Sequence, residues 1–185
     1  QKLILDRTIS CEHGKNTLKI SDTVKNVGSS DEPLLLLYHM NLGYPLLSEQ
    51  ARLAVSSERV LPRDDHAAKD LDTWDKMLTP VPNFQEQCYY HEFGETAPCA
   101  KLWNDGAGVG LALRWDKAQF PYMTEWKMMG ERDYVLGLEP CTNKLDGRAN
   151  LRREGSLQFI KPGESRSFAV EIECFDNEAL WEKAR

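Results

Sequence analysis

His39 and Asn41 stand inside Leu34-Leu35-Leu36-Leu37-Tyr38-His39-Met40-Asn41-Leu42, a run that is otherwise apolar apart from Tyr38. Burying an imidazole or a carboxamide without a partner costs about 2–7 kcal/mol on transfer scales, so a run built only to fill a core would carry Val or Ile there. Alternate side chains of an extended chain share one face, which sets His39 and Asn41 side by side and suggests a polar pocket lining. A second apolar run, Tyr134 to Leu138, ends in Glu139-Pro140. Proline biases the preceding residue towards an extended backbone and removes an amide donor, so the Glu139 carboxylate is held at a stiff strand end. An imidazole and a carboxylate are suited to proton transfer at neutral pH. Reference pKa values of about 6.5 and 4.3 leave the first partly protonated and the second ionised.

Three further side chains are candidates for binding. His91 follows Tyr89-Tyr90, and Trp126-Lys127 lies among aromatic and thioether residues in Thr124 to Gly130. An exposed indole is a platform for the apolar face of a sugar ring, while a buried one is core. For His91 the competing reading is a core histidine satisfied by a backbone group. His13 and His66 sit in turn-like or loop surroundings and read as solvent-facing. A metal site from His39, His91 and Glu139 is disfavoured, because no His-x-His pair occurs and the position two after His39 is Asn, a poor transition-metal ligand. No GxSxG elbow or P-loop is present, and the Gly106 to Gly110 run lies between strand signals with no helix to receive a phosphate.

The elements that must position these groups read as strands. Leu3 to Ser10, Thr17 to Val27, Leu34 to Met40, Cys88 to Phe93, Ala100 to Asn104, Gly108 to Trp115 and Tyr134 to Leu138 alternate or run apolar between turn residues. Gly155 to Ile160 and Ser167 to Cys174 flank Lys161-Pro162-Gly163-Glu164, which predicts an antiparallel hairpin. Leu61 to Pro82 predicts an excursion loop, and Asn177 to Lys183 a short helix capped by Asp176 or Asn177. The fold class expected is all-β, an antiparallel β-sandwich forming one domain over residues 1–185. The Cys…Trp…Cys signature of an immunoglobulin-like sandwich is missing.

Composition narrows the partners. The 185 residues carry a net charge of −6 and no basic cluster, which argues against nucleic acid. No apolar stretch is long enough for a membrane helix. Five scattered cysteines without a CxxC pair fit reduced thiols in a cytoplasmic protein. Gln1 reads as a cut point in a longer chain. A half-sandwich with free edges would pair with a second copy, so a homodimer is a further expectation.

With these stretches in view, the sequence resembles the aldose 1-epimerase (galactose mutarotase-like) superfamily, in a poorly characterised bacterial branch. The resemblance is carried by Asp22 to Gly28 leading to Tyr38-His39-Met40-Asn41-Leu42-Gly43-Tyr44-Pro45, by Glu86 to His91, by Trp126 to Gly130 with Gly137-Leu138-Glu139-Pro140, and by Lys161 to Ser165. It implies a galactose mutarotase-like β supersandwich, of which this chain is the C-terminal part, and cofactor-independent interconversion of aldose anomers. It implies His39 as general acid and Glu139 as general base; the residues expected to bind the sugar are Asn41, His91, Trp126 and Lys127. Family chains are longer and place an arginine and another histidine from their N-terminal half in the sugar site. His91, Glu92 and Lys127 are candidates for the role of the family's sugar-binding aspartate. Both reactive oxygens sit on one carbon, so the polar atoms of His39 and Glu139 are expected roughly 5–8 Å apart around one small hollow. The rival function is a non-catalytic carbohydrate-binding sandwich.

Overall fold

The computed structural model describes residues 2–185, so Gln1 lies outside it. In chain order the strands are β1 (Leu3–Cys11), β2 (Thr17–Asn26), β3 (Glu32–Pro33), β4 (Met40–Leu42), β5 (Ala51–Val55), β6 (Arg59–Pro62) and β7 (Gln87–Glu92). They continue as β8 (Cys99–Asn104), β9 (Val109–Trp115), β10 (Tyr122–Met129), β11 (Tyr134–Cys141), β12 (Phe159–Ile160) and β13 (Ser165–Phe175). Two antiparallel sheets dominate: a six-stranded sheet ordered β1-β2-β13-β9-β8-β5 and a five-stranded sheet ordered β4-β11-β10-β7-β6. The main core lies between them. Leu113, Phe168 and Val170 from the first sheet meet Met123, Leu136 and Leu138 from the second, all nearly sealed from water. The all-β expectation holds.

Helices are short. They are α1 (Asp65–Ala68), α2 (Arg148–Glu154) and α3 (Glu178–Lys183). Asn177 caps α3 by accepting from the Leu180 amide at 3.1 Å, the arrangement its sequence suggests. That helix covers the outer face of the six-stranded sheet, where Trp181 packs on Trp103. None of the described helices is long and apolar enough to cross a membrane.

Two sequence expectations are corrected. Leu34 to Met40 is not a continuous strand: only Leu37 bridges to Cys141 before β4 begins at Met40. Tyr38 keeps one backbone bond to β11, its amide donating to Pro140 O at 3.0 Å, and its side chain turns into the core. There its hydroxyl donates to buried Asp22 at 2.5 Å, and Arg7 holds that carboxylate from the far side at 2.7–2.8 Å. The second correction concerns the predicted hairpin. A turn does form, with the Glu164 amide donating to Lys161 O at 3.0 Å and Gly163 at φ 77. However, β12 pairs with β3 while β13 pairs with β2 and β9. Asn26 explains the divergence. Its side-chain amide donates to Ile160 O at 2.9 Å and its backbone bonds both Gly163 and Glu164, so the turn docks on the end of β2 instead of closing on itself. Gly155 to Gln158, read as strand, are the left-handed C-cap of α2 and the irregular stretch that leaves it, and only Phe159–Ile160 are strand.

Candidate active site

The five-stranded sheet lines up one functional face by register. Asn41 on β4 lies opposite Gly137 on β11, which lies opposite Trp126 on β10, which lies opposite Cys88 on β7. One step of two residues along, Glu139, Thr124 and Tyr90 form the next row. Strand alternation sends these side chains outward, away from the six-stranded sheet. Gly137 leaves the room that Glu139 uses. A Cβ added there would lie 2.5 Å from Glu139 Oε1 and 3.1 Å from Trp126 Cβ, so the carboxylate lies back over the glycine.

His39 enters this face just before β4. Its Nδ1 donates to Asn41 Oδ1 at 2.7 Å, and its ring meets Trp126 edge-on with centroids 5.4 Å apart. Its Nε2 lies 2.9 Å from Glu139 Oε1. The N–H direction is off line, so Oε1 is buried without an aligned donor. The two groups differ sharply in exposure, with 48% of the His39 side chain open to solvent against 3% of Glu139. Burial pushes the Glu139 carboxyl up to about 7, His39 opposes the shift and Glu86 adds to it. The expected separation of 5–8 Å is thus corrected to direct contact. With Nδ1 anchored on Asn41, Nε2 is the ring atom left to face the carboxylate, and nothing stands between them. Gly137→Ala is expected to drive the carboxylate out of this contact and to slow any reaction the pair performs about 100-fold, the order that a misplacement near 1 Å can cost. A crystal structure of the variant with its rate checks both parts, and a wild-type rate would show the glycine to be dispensable.

Trp126 joins the cluster and brings two residues that sequence reasoning passed over. Its Nε1 donates to Glu86 Oε2 at 2.7 Å, and Arg63 Nη2 donates to Glu86 Oε1 at 3.1 Å. Arg63 also reaches Cys88 Sγ at 3.0 Å. The indole hydrogen bond holds the Glu86 carboxyl below its ordinary range despite partial burial. The signal for Glu86 was present in alternation, since Glu86, Cys88 and Tyr90 share a parity. Arg63, on the segment read as loop, had none. Burial raises the Cys88 thiol to about 12, so it is no nucleophile at neutral pH.

The structure does not bring His91 and Lys127 to this face. Lys127 follows Trp126 directly and therefore points inward, where its Nζ donates to Thr73 O at 2.9 Å and Trp74 O at 3.2 Å. His91 is fully buried between Ser57 Oγ at 2.9 Å and Glu125 Oε2 at 3.1 Å, with Trp74 edge-on at 4.9 Å. Glu125 is sealed too, and its Oε1 has no partner. Breaking a buried pair from one side is costly, so His91→Ala is expected to destabilise the fold by about 3–5 kcal/mol. Urea unfolding measures this, and a loss below about 1 kcal/mol would be too small for a buried paired group. Among the described residues no cluster of three or more His, Cys, Asp or Glu is arranged to hold a metal ion.

Comparison with solved structures places the fold. An aldose 1-epimerase-like protein from Klebsiella pneumoniae superposes with a TM-score of 0.90 at 24% identity, covering 97% of this chain and 48% of that one. This chain therefore spans about half the length of the Klebsiella protein. A TPR-domain containing protein from Parabacteroides distasonis matches at TM-score 0.70 and 12% identity, covering 99% of this chain and 32% of its own. A galactose mutarotase-like protein from Clostridium acetobutylicum matches at TM-score 0.57 and 15% identity, with coverages of 94% and 62%. At these identities the likeness establishes a galactose mutarotase-like β-sandwich. No curated protein matches the sequence. Residues 1–174 match the family described as a domain of unknown function, DUF4432, and the chain belongs to that family.

Proposed function

We propose that the protein is an aldose 1-epimerase-like isomerase that interconverts sugar anomers by general acid–base ring opening. The observation that carries this reading is the contact of His39 with Glu139, 2.9 Å apart on an outward sheet face beside Trp126. On this reading residues 1–185 are one mutarotase-like domain that supplies the acid and the base. A sugar enters between the two groups and replaces their mutual contact. Glu139 takes the proton from the anomeric hydroxyl while imidazolium His39 gives one to the ring oxygen. The bond from C1 to the ring oxygen breaks and C1 becomes the aldehyde carbonyl. Rotation about C1–C2 and the reverse transfers close the other anomer, with no net proton consumed and no cofactor in the scheme. A carboxyl near 7 suits the base, because it is ionised in half or more of the molecules at neutral pH and still binds a proton well. The half-buried Trp126 offers an apolar platform, and Asn41, Glu86 and Arg63 offer hydrogen bonds to hydroxyls. Polarimetry on freshly dissolved α-aldoses tests the proposal. Equilibration faster than in buffer is expected for at least one sugar, and buffer rates across hexoses and pentoses would leave only a binding role.

A further inference from the structure

Residues 63–86 leave the five-stranded sheet after β6 and return to it at β7, and the two ends of this segment close on each other. Arg63 Nη2 donates to Glu86 Oε1 at 3.1 Å, while Arg63 Nη1 reaches Cys88 Sγ and the Arg63 amide donates to Cys88 O, each at 3.0 Å. The middle of the segment is tied down from the inward side. Lys127 Nζ donates to Thr73 O and Trp74 O, the Tyr89 hydroxyl donates to Asp70 O at 3.3 Å, and the Gln87 amide donates to the Asp70 carboxylate. Strand alternation divides the work: inward residues of β7 and β10 fasten the segment, and their outward neighbours Cys88 and Trp126 meet its ends. The Trp126 indole stands between Glu86 Oε2, 2.7 Å from its Nε1, and the His39 ring, edge-on with centroids 5.4 Å apart. Nearly half of the His39 side chain is open to solvent, so Asn41 at Nδ1 and this indole are what steady its ring.

We propose that Glu86 is a positioning residue for the acid–base pair, acting through Trp126 to hold the His39 imidazole against Glu139. This rests on the function proposed above and gives the segment 63–86 a part in it. A carboxylate on the indole N–H stops that ring from turning about its side-chain torsions, and Arg63 stops the carboxylate from swinging away. The same placement brings charge. The titratable groups near Glu139 are the His39 imidazole ahead of β4, the Cys88 thiol on β7, the Cys141 thiol on β11 and the Glu86 carboxylate, with Arg63 and Asp64 beside Glu86. Burial lifts both thiols to about 12, so they carry no charge at neutral pH. Glu86 therefore joins burial in opposing ionisation of Glu139, and Arg63 offsets part of its charge.

Three variants test the assignment. Glu86→Gln keeps an oxygen for the indole N–H and removes the charge, Glu86→Ala removes both, and Arg63→Met removes the guanidinium. Each is read by nitrogen-15 NMR of the Trp126 indole, carbon-13 NMR of the Glu139 carboxyl and anomer-exchange kinetics. Glu86→Ala is expected to shift the indole resonance and to lower kcat by up to about 100-fold, the order for a misplaced reacting group. The loss should fall on kcat and leave KM little changed. Glu86→Gln should return the indole resonance and most of kcat, with Glu139 titrating below about 7. Arg63→Met should move that titration the other way. An unmoved indole resonance in Glu86→Ala, or a loss confined to KM, overturns the positioning role, since a carboxylate that only binds sugar hydroxyls gives that result. Glu139 titrations that move in the same direction in Glu86→Gln and Arg63→Met overturn the part assigned to charge. A wild type that exchanges no anomers overturns the acid–base reading, and the indole and carboxyl resonances then decide the placement of His39 and Glu139 without it.

Discussion

Glu139→Gln is expected to lower catalysed anomer exchange by a factor of about 10²–10⁴, the range for loss of a positioned general base, and at the same time to make the protein more stable at pH 8. The two effects have one cause. The Glu139 side chain is almost fully buried, and its carboxyl is raised to about 7 from an ordinary 4.5. A folded-state pKa above the unfolded value means that the native state binds a proton the unfolded chain has released. The contribution to stability is therefore complete below about 4.5 and lost as pH rises through about 7. At 1.36 kcal/mol per pKa unit, the wild type forfeits at most about 3 kcal/mol between pH 4.5 and 8 from this group. Glutamine keeps the shape and does not titrate, so the variant should lose that slope. Thermal unfolding at pH 5 and pH 8 reads the difference, and about 3 kcal/mol corresponds to several degrees in a chain of this size. A variant that is slower and also less stable at pH 8 would mean that the carboxylate helps to hold the fold together and is not held there at its expense.

His39 and Glu139 each stood out in the sequence because each broke a local rule, and the family resemblance paired them. A histidine and an asparagine interrupted a greasy run, and a carboxylate was pinned by proline. Their separation was not legible, because the expectation placed a sugar between them and the two side chains close on each other. Parity decided much of the rest. Trp126 and Lys127 are neighbours on a strand and cannot share a face, so choosing both as sugar contacts contradicted the alternation that had joined His39 to Asn41. The same rule, applied backwards from Cys88, selects Glu86. The fold class followed from strand patterning, but partner choice did not. Pro162-Gly163 specifies a turn, while the amide of Asn26, 134 positions from Ile160, determines where the following strand docks. Such long-range polar contacts leave no periodic trace.

His39→Ala should cost about as much catalysis as loss of the base, a factor of about 10²–10⁴. The more informative comparison is the double variant. If the imidazole and the carboxylate act in one concerted exchange, removing the second after the first has little left to abolish. His39→Ala/Glu139→Gln should then be slower than either single variant by less than about tenfold, as found for groups that work as a unit. His39 is also the charge that restrains the Glu139 carboxyl, and burial and Glu86 both act the other way. Without the imidazole, Glu139 should titrate above about 7 and remain mostly protonated at neutral pH. Carbon-13 NMR of the glutamate carboxyls measures that titration. A Glu139 carboxyl that titrates at an unchanged pH in His39→Ala, or losses that multiply in the double variant, would show that the two residues are neighbours without being partners, and the acid–base assignment would have to be given up.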